Sequence, residues 1–351
     1  MNPPQLLESP QISAARRSQS SRVLVALLLP LVSLSACGES ASDSADQAGT
    51  GTAVATLIPA EERGALPEGA EAWSMTGEAL YPTALAENVA AVYQTNLEAA
   101  QADFDADPND VDNIVWLGRR LAYPGRYREA IAAYTRGIEL HPTDARLYRH
   151  RGHRYLSVRE FDNAIADFQS AVQLIEGTED QVEPDGLPNA AGIPTSTLHF
   201  NIWYHLGLAH YLKGEHEQAL LAWNACLEAS RHPDSVVATT YWLNNTLRRI
   251  GMTGQADELL EGIDADMGII ESTAYLNVLL LHKGVRTLDE VMPETAEVSL
   301  ESTTTSYGVG MWHMLNGREE RAFEIFQGVV GGGGSWSPFG FIAAEAELAR
   351  R

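Results

Sequence analysis

Ten histidines and two cysteines are the residues of this chain best suited to hold a metal or attack a substrate. His150 and His153 lie three apart, so on a helix they share a face and both could reach one ion. A third ligand is not visible at comparable spacing. His205 and His210 are five apart and diverge on a helix, and Cys226 with His232 is a six-residue pair. The chain contains no HExxH, CxxC, GxSxG or Walker motif, and no GxGxxG between a strand and a helix. The run Gly331 to Gly334 follows a helical pattern rather than a strand, which makes it a poor phosphate cradle. These residues point to a non-catalytic protein with no catalytic residue, no metal site and no cofactor. A metal-dependent hydrolase built on His150, His153 and an acidic residue is the weakest alternative.

The composition narrows the class further. The chain has 351 residues, 45% of them hydrophobic and 20% charged, enough to build a large core. Its 24 Lys and Arg face 47 Asp and Glu, a formal charge of −23, which argues against nucleic acid as a partner because counterion release needs a basic face. Two cysteines, Cys37 and Cys226, exclude a disulfide scaffold.

The N-terminus reads as an address. Arg16, Arg17 and Arg22 precede VLVALLLPLVSL, an apolar run too short for a membrane span of about 20 residues. The junction Leu34-Ser35-Ala36-Cys37 resembles the bacterial lipobox. That resemblance implies a signal peptide over 1–36, a lipid on the Cys37 thiol, and a membrane anchor at the new N-terminus, since several acyl chains hold stably where one does not. Gly38 rather than Asp follows the cysteine, which in the resemblance points to the outer membrane of the cell envelope, facing the periplasm. The Ser/Ala/Asp/Gly stretch across 37–60 then reads as a flexible tether.

An internal repeat decides the fold class. Gly118, Tyr127, Ala130 and Tyr134 recur 34 residues later as Gly152, Phe161, Ala164 and Phe168. Gly207, Ala219, Trp223 and Cys226 keep the register in a third unit, and Gly310, Ala322 and Phe326 in a sixth. The period and residue types are similar to the tetratricopeptide repeat family, which implies an all-α, right-handed superhelical solenoid of antiparallel helix pairs. In that family small residues let two backbones approach and a large one fills the gap beside them. The domain reading is a linker and capping helix over 61–110, units 1 and 2 over 111–178, an inserted loop at 179–199, units 3 to 6 over 200–336 with unit 5 degenerate, and a C-terminal capping helix over 337–351. Cys226 falls in a small-residue slot, so it reads as packing rather than as a nucleophile.

The resemblance also implies where a partner would bind. The family holds extended peptides or partner helices on the inner face of its first helices. The matching positions are Arg119, Tyr123, Arg146, Arg149, His153, Asn201, Tyr204, Tyr241, Asn245, Arg248 and Tyr307. This set is basic and aromatic, which suits an acidic protein or peptide partner. The carboxylate clamp known in some members fits badly, because Val115, Arg119, Asn201 and His205 stand where its ligands would be. The expected function is thus a scaffold or adaptor with an open groove. The alternative is a small-ligand receptor for an anionic or glycan ligand, closed by the 179–199 loop acting as a lid with Asp185 and Asn189. It would show an aromatic pocket under that loop.

Overall fold

A computed structural model describes residues 64–293 and 300–351. Cys37, the apolar run before it and the tether lie outside the described residues. Six helix pairs follow one another: α2 (Val111–Ala122) with α3 (Tyr127–Leu140), α4 (Ala145–Ser157) with α5 (Phe161–Ile175), and α6 (Leu198–Lys213) with α7 (His216–Ala229). Next come α8 (Pro233–Arg249) with α9 (Thr253–Glu261), α10 (Thr273–His282) with the single-turn α11 (Leu288–Val291), and α12 (Leu300–Leu315) with α13 (Glu319–Gly331). α1 (Glu87–Ala106) precedes them and α14 (Phe339–Ala349) follows. The expected all-α solenoid of antiparallel helix pairs is the observed architecture. Among the described residues no helix is long and apolar enough to cross a membrane.

The pairs form where the spacing says they should. A methyl group added to Gly118, Gly152, Gly207 or Gly310 would stand 2.3 to 2.8 Å from the ring of Tyr134, Phe168, Trp223 or Phe326 respectively. Each ring sits sixteen residues after its glycine, on the facing helix. All four rings are essentially buried, and each contributes about 1.5–3 kcal/mol by leaving water. In unit 4 the fully buried Asn244 stands in the glycine slot and Leu260 in the ring slot. The turn inside each pair needs a left-handed residue, supplied by Gly125, Gly214, Gly251, Gly284 and Gly317. In unit 2 the same turn is made by Arg159, at φ 65°. Cys226 is buried, 3.2 Å from the Thr239 hydroxyl, and burial pushes its thiol pKa up.

Two features were not foreseen. A two-residue hairpin, β1 (Ala72–Trp73) against β2 (Ala79–Leu80), precedes α1, with Gly77 at φ 92° in its turn. It is too short to leave an alternating pattern. The second is the exposure of Val92, an apolar residue of α1, beside the buried Leu97 and Ala100.

The two ends of the array meet. The core around unit 1 includes Ala72 from the hairpin and Trp336 and Phe341 from the C-terminal segment. Trp336 Nε1 donates to the Tyr81 carbonyl at 2.5 Å, and its ring meets Tyr127 edge-on at 5.3 Å. Arg128 ties the hairpin to α3 through the Glu71 carbonyl at 2.8 Å. Enlarging Gly207 to Leu is expected to drive α6 from Trp223 and to lower stability by about 1–3 kcal/mol. A thermal melt would read this as a lower midpoint with helicity retained below it.

Candidate functional site

The first helices of the pairs line a channel, and two other segments of the chain enter it. The first is the 179–199 loop. Its base is closed by the Val182–Thr197 bridge and by Leu198 N donating to Gln181 O at 2.8 Å. From there it reaches across the channel. Arg119 Nη1 donates to Pro184 O at 2.8 Å and Arg120 Nη1 to Gly186 O at 3.0 Å, both from α2. On the other side the Thr195 hydroxyl donates to Glu271 Oε2 at 2.6 Å, beside the start of α10. Glu183 is the loop's buried anchor. Its carboxylate lies 3.0 Å from Arg149 Nε and 3.6 Å from His150 Nε2, and accepts from Asn201 Nδ2 at 3.1 Å. The loop therefore lies against the inner-face residues Arg119, Arg120 and Arg149. Asn189 turns back to bond Ile193 and Ala191 of the loop itself. Asp185 is partly buried, and burial raises its pKa, with Glu271 adding to the rise.

The second segment is α14, which packs on α12, α13 and α6. Eight of its eleven residues are buried, including Glu345 and Glu347. Glu345 pairs with Arg159 at 2.6 Å, the residue in the left-handed turn of unit 2. Arg159 also donates to the Trp336 carbonyl at 2.9 Å. Glu347 pairs with Arg249 at the end of α8, at 2.5 Å, and with Arg350 at 2.8 Å. Gly340 lets α14 lie against the α12 backbone, since a methyl group there would stand 2.9 Å from Thr303 O.

The residues expected on an open, free basic face thus have partners of their own. Arg146 pairs with Asp112 and Asp144, both at 2.6 Å. Arg149 pairs with Glu183, and Arg248 with Asp257 at 2.6 Å. Burial lowers the Arg149 pKa, and Glu183 opposes that shift. Asn201 is held by Glu183 and Arg119 by the loop. Tyr204 accepts from Trp242 Nε1 at 2.8 Å and shares a hydroxyl contact with Tyr275 at 3.1 Å. Tyr241, Asn245 and Tyr307 are interior, Tyr307 bonded to Tyr211 at 2.9 Å. Only Tyr123 and His153 of the set line a remaining hollow of about 830 Å³. Its other walls are Arg154, Tyr127, Tyr275, Phe339 and the first turn of α10, which the sequence reading did not single out.

His150 and His153 do not converge on one point. His150 stacks on Tyr134 and faces Glu183, while His153 meets the rings of His205 and Phe339 at a tilt, at 4.4 and 5.4 Å. Among the described residues no three His, Cys, Asp or Glu side chains form a metal-holding group.

Residues 117–178 match the tetratricopeptide repeat family model. The chain is 27% identical over 143 residues to small glutamine-rich tetratricopeptide repeat-containing protein 2 of Saccharomyces cerevisiae, over 41% of this chain and 33% of that protein. It thus spans about a third of that relative's length. Among solved structures it is similar to a tetratricopeptide repeat protein from Parabacteroides merdae (TM-score 0.44, 17% identity, 75% of this chain and 94% of that one). It is also similar to YrrB, described as a TPR protein with an unusual peptide-binding site (TM-score 0.38, 15% identity, 67% and 92%).

Three imidazoles of this face have lowered pKa values. Burial is the largest cause of the lowered pKa of His150, His153 and His205, and Arg149 and Arg154 add to it. Each folded-state pKa lies below the unfolded one, so below about pH 6.5 the unfolded chain binds more protons and folding weakens. Stability is expected to fall on acidification from pH 6.5 downward, at up to about 1.4 kcal/mol per pH unit for each imidazole. Urea midpoints across that range should show the decline, and His153→Phe should make it shallower.

Proposed function

We propose that the chain is a non-catalytic scaffold that binds a helical segment of a protein partner in its channel and is held at the bacterial envelope by lipid on Cys37. One observation carries the binding half of this reading: the channel already holds a polypeptide helix, α14, seated through the Arg159–Glu345 and Arg249–Glu347 pairs. The wall therefore has the shape and charge for a helix with a small apolar face and two glutamates two residues apart. Gly331 to Gly334, mostly exposed, join α14 to the array and leave it room to exchange with a partner helix of the same chemistry. The match of residues 117–178 to the tetratricopeptide repeat supports the same reading. The envelope half rests on the sequence before Cys37 and on that cysteine's place in the junction.

The direct test is exchange in trans. A protease site placed within Gly331–Gly334 of the folded full chain, cut and washed free of the released segment, yields an empty receptor without refolding. A synthetic peptide of residues 335–351 is expected to bind it saturably. A Glu345→Gln peptide should bind about tenfold or more weakly, because a buried charge-assisted bond is worth about 1.5–3 kcal/mol. Equal binding of the two peptides, or no binding by a receptor that keeps its helicity, would sink the channel reading. For the anchor, labelled palmitate should be incorporated by the wild-type chain in a bacterial host and not by Cys37→Ser. Absence of label from the wild-type chain, or equal label in Cys37→Ser, would exclude the lipid on Cys37.

A further inference from the structure

The hollow that remains once the loop and α14 are in place is a site in its own right. We propose that it binds a small organic carboxylate with an aromatic or apolar body. Its volume, about 830 Å³, lies within the range of about 300–1,000 Å³ usual for small-molecule sites.

Its lining holds one arginine, Arg154, and one carboxylate, Glu271, whose Oε2 is taken by the Thr195 hydroxyl. Arg146, Arg149, Arg151, Arg159, Arg248 and Arg249 each have a carboxylate within 3.0 Å. Arg119 and Arg120 lack a carboxylate but bond loop carbonyls, whereas Arg154, on α4, has neither. Among the described residues its guanidinium has no carboxylate partner and no side-chain hydrogen bond, and it lies over the Tyr127 ring, 5.5 Å from its centroid. Arg154 is half-buried and lines the hollow without a counter-charge, in a chain with 47 acidic residues at hand to pair it. It is the arrangement expected where the counter-charge arrives with a ligand.

Across the hollow stands the N-terminus of α10. No side chain caps it, and Thr273, Ala274 and Tyr275 form part of the wall. The turn just before it already grips one carboxylate: Asp234 accepts from the backbone N–H groups of Ile270, Glu271 and Ser272. The next three N–H groups, which no helix can bond internally, belong to that wall. A carboxylate between Arg154 and this helix end would meet a planar fork on one side and a partial positive charge on the other.

The rest of the lining selects the body of the ligand. Tyr123, Tyr127, His153, Tyr275 and Phe339 supply flat apolar surface. The charge count selects the head. One arginine offsets one negative charge, and Glu271, the only carboxylate among the lining residues, would repel a second. A carboxylate is therefore favoured over a phosphate dianion. The site uses none of the positions of the family's carboxylate clamp.

Sodium benzoate, benzamide and phenyl phosphate separate these terms when titrated calorimetrically into the purified full chain. Benzoate is expected to bind saturably, and uncharged benzamide about tenfold or more weakly. Arg154→Met should lose benzoate by a similar factor. Thr273→Trp, which fills the mouth from an exposed position, should lose it as well, and serves if the arginine variant fails to fold. Absence of saturable benzoate binding, benzamide binding as well as benzoate, phenyl phosphate binding more tightly than either, or folded variants that keep wild-type affinity would each overturn the proposal. Because α14 stays in place throughout, failure here leaves the exchange of that helix untouched.

Discussion

The close approach of glycine to ring inside each helix pair is the constraint from which the rest follows. With no Cβ at Gly118, Gly152, Gly207 or Gly310, the facing helix comes in until the aromatic side chain lies on bare backbone. That contact fixes the angle and depth of each hairpin. Because it recurs at the same place, successive first helices line up along one wall. The wall's other face is then free to carry side chains that do not pack within their own unit. Arg154 stands on that face because Gly152 and Leu156 have turned the opposite side of α4 into the hairpin.

Charge then decides what enters the channel. A buried ion pair gains little net stability, since two desolvation penalties oppose its Coulomb term, but removing one partner leaves an expensive orphan. Glu183 in the loop, and Glu345 and Glu347 in α14, are three such partners, each matched to an arginine of the wall. Their effect is selective. A helix slipped by one turn would bury its glutamates against apolar side chains, so the pairs fix register more than they add strength. Arg159 shows how tightly this is set. It occupies a left-handed turn that glycine fills in the other units, at a backbone cost of about 1–3 kcal/mol. In return its guanidinium reaches both Glu345 and the Trp336 carbonyl.

The repeat was legible because its contacts are local and periodic: glycine and ring are sixteen residues apart in four units, and units 1 and 2 repeat at 34. The same logic located Cys226 in the core. What enters the channel was legible only in part, because contacts such as Arg119–Pro184, 65 positions apart, and Arg159–Glu345, 186 apart, recur nowhere. The repeat register put Arg146, Arg149 and Arg248 on the inner face, but it carries no information about Asp112, Glu183 or Asp257, which neutralise them. A sign was nevertheless present. An arginine at 159, where glycine stands at 125, 214, 251, 284 and 317, breaks the pattern at one unit. Two glutamates inside the apolar run FGFIAAEAELA break the pattern of a simple cap. Each irregularity is unexplained alone, and each is the other's partner.

An open solenoid is nearly one-dimensional, with each unit stabilised by its neighbours in sequence. The described array departs from that scheme because segments far apart in sequence converge on its inner face. The hairpin at 72–80, the loop at 179–199 and the segment from Trp336 onward all contact unit 1 or unit 2, and α14 reaches units 3, 4 and 6 as well. Motion of α10 away from α4 would stretch the Thr195–Glu271 bond, and motion of α12 away from α4 would pull α14 against the Arg159–Glu345 pair. The spacing across the hollow is therefore set by long-range links rather than by the pitch of the repeat. A wall with this many cross-links can hold Arg154 and the start of α10 at a constant separation, a precondition for a preorganised site that an uncross-linked solenoid, free to bend at every interface, does not meet.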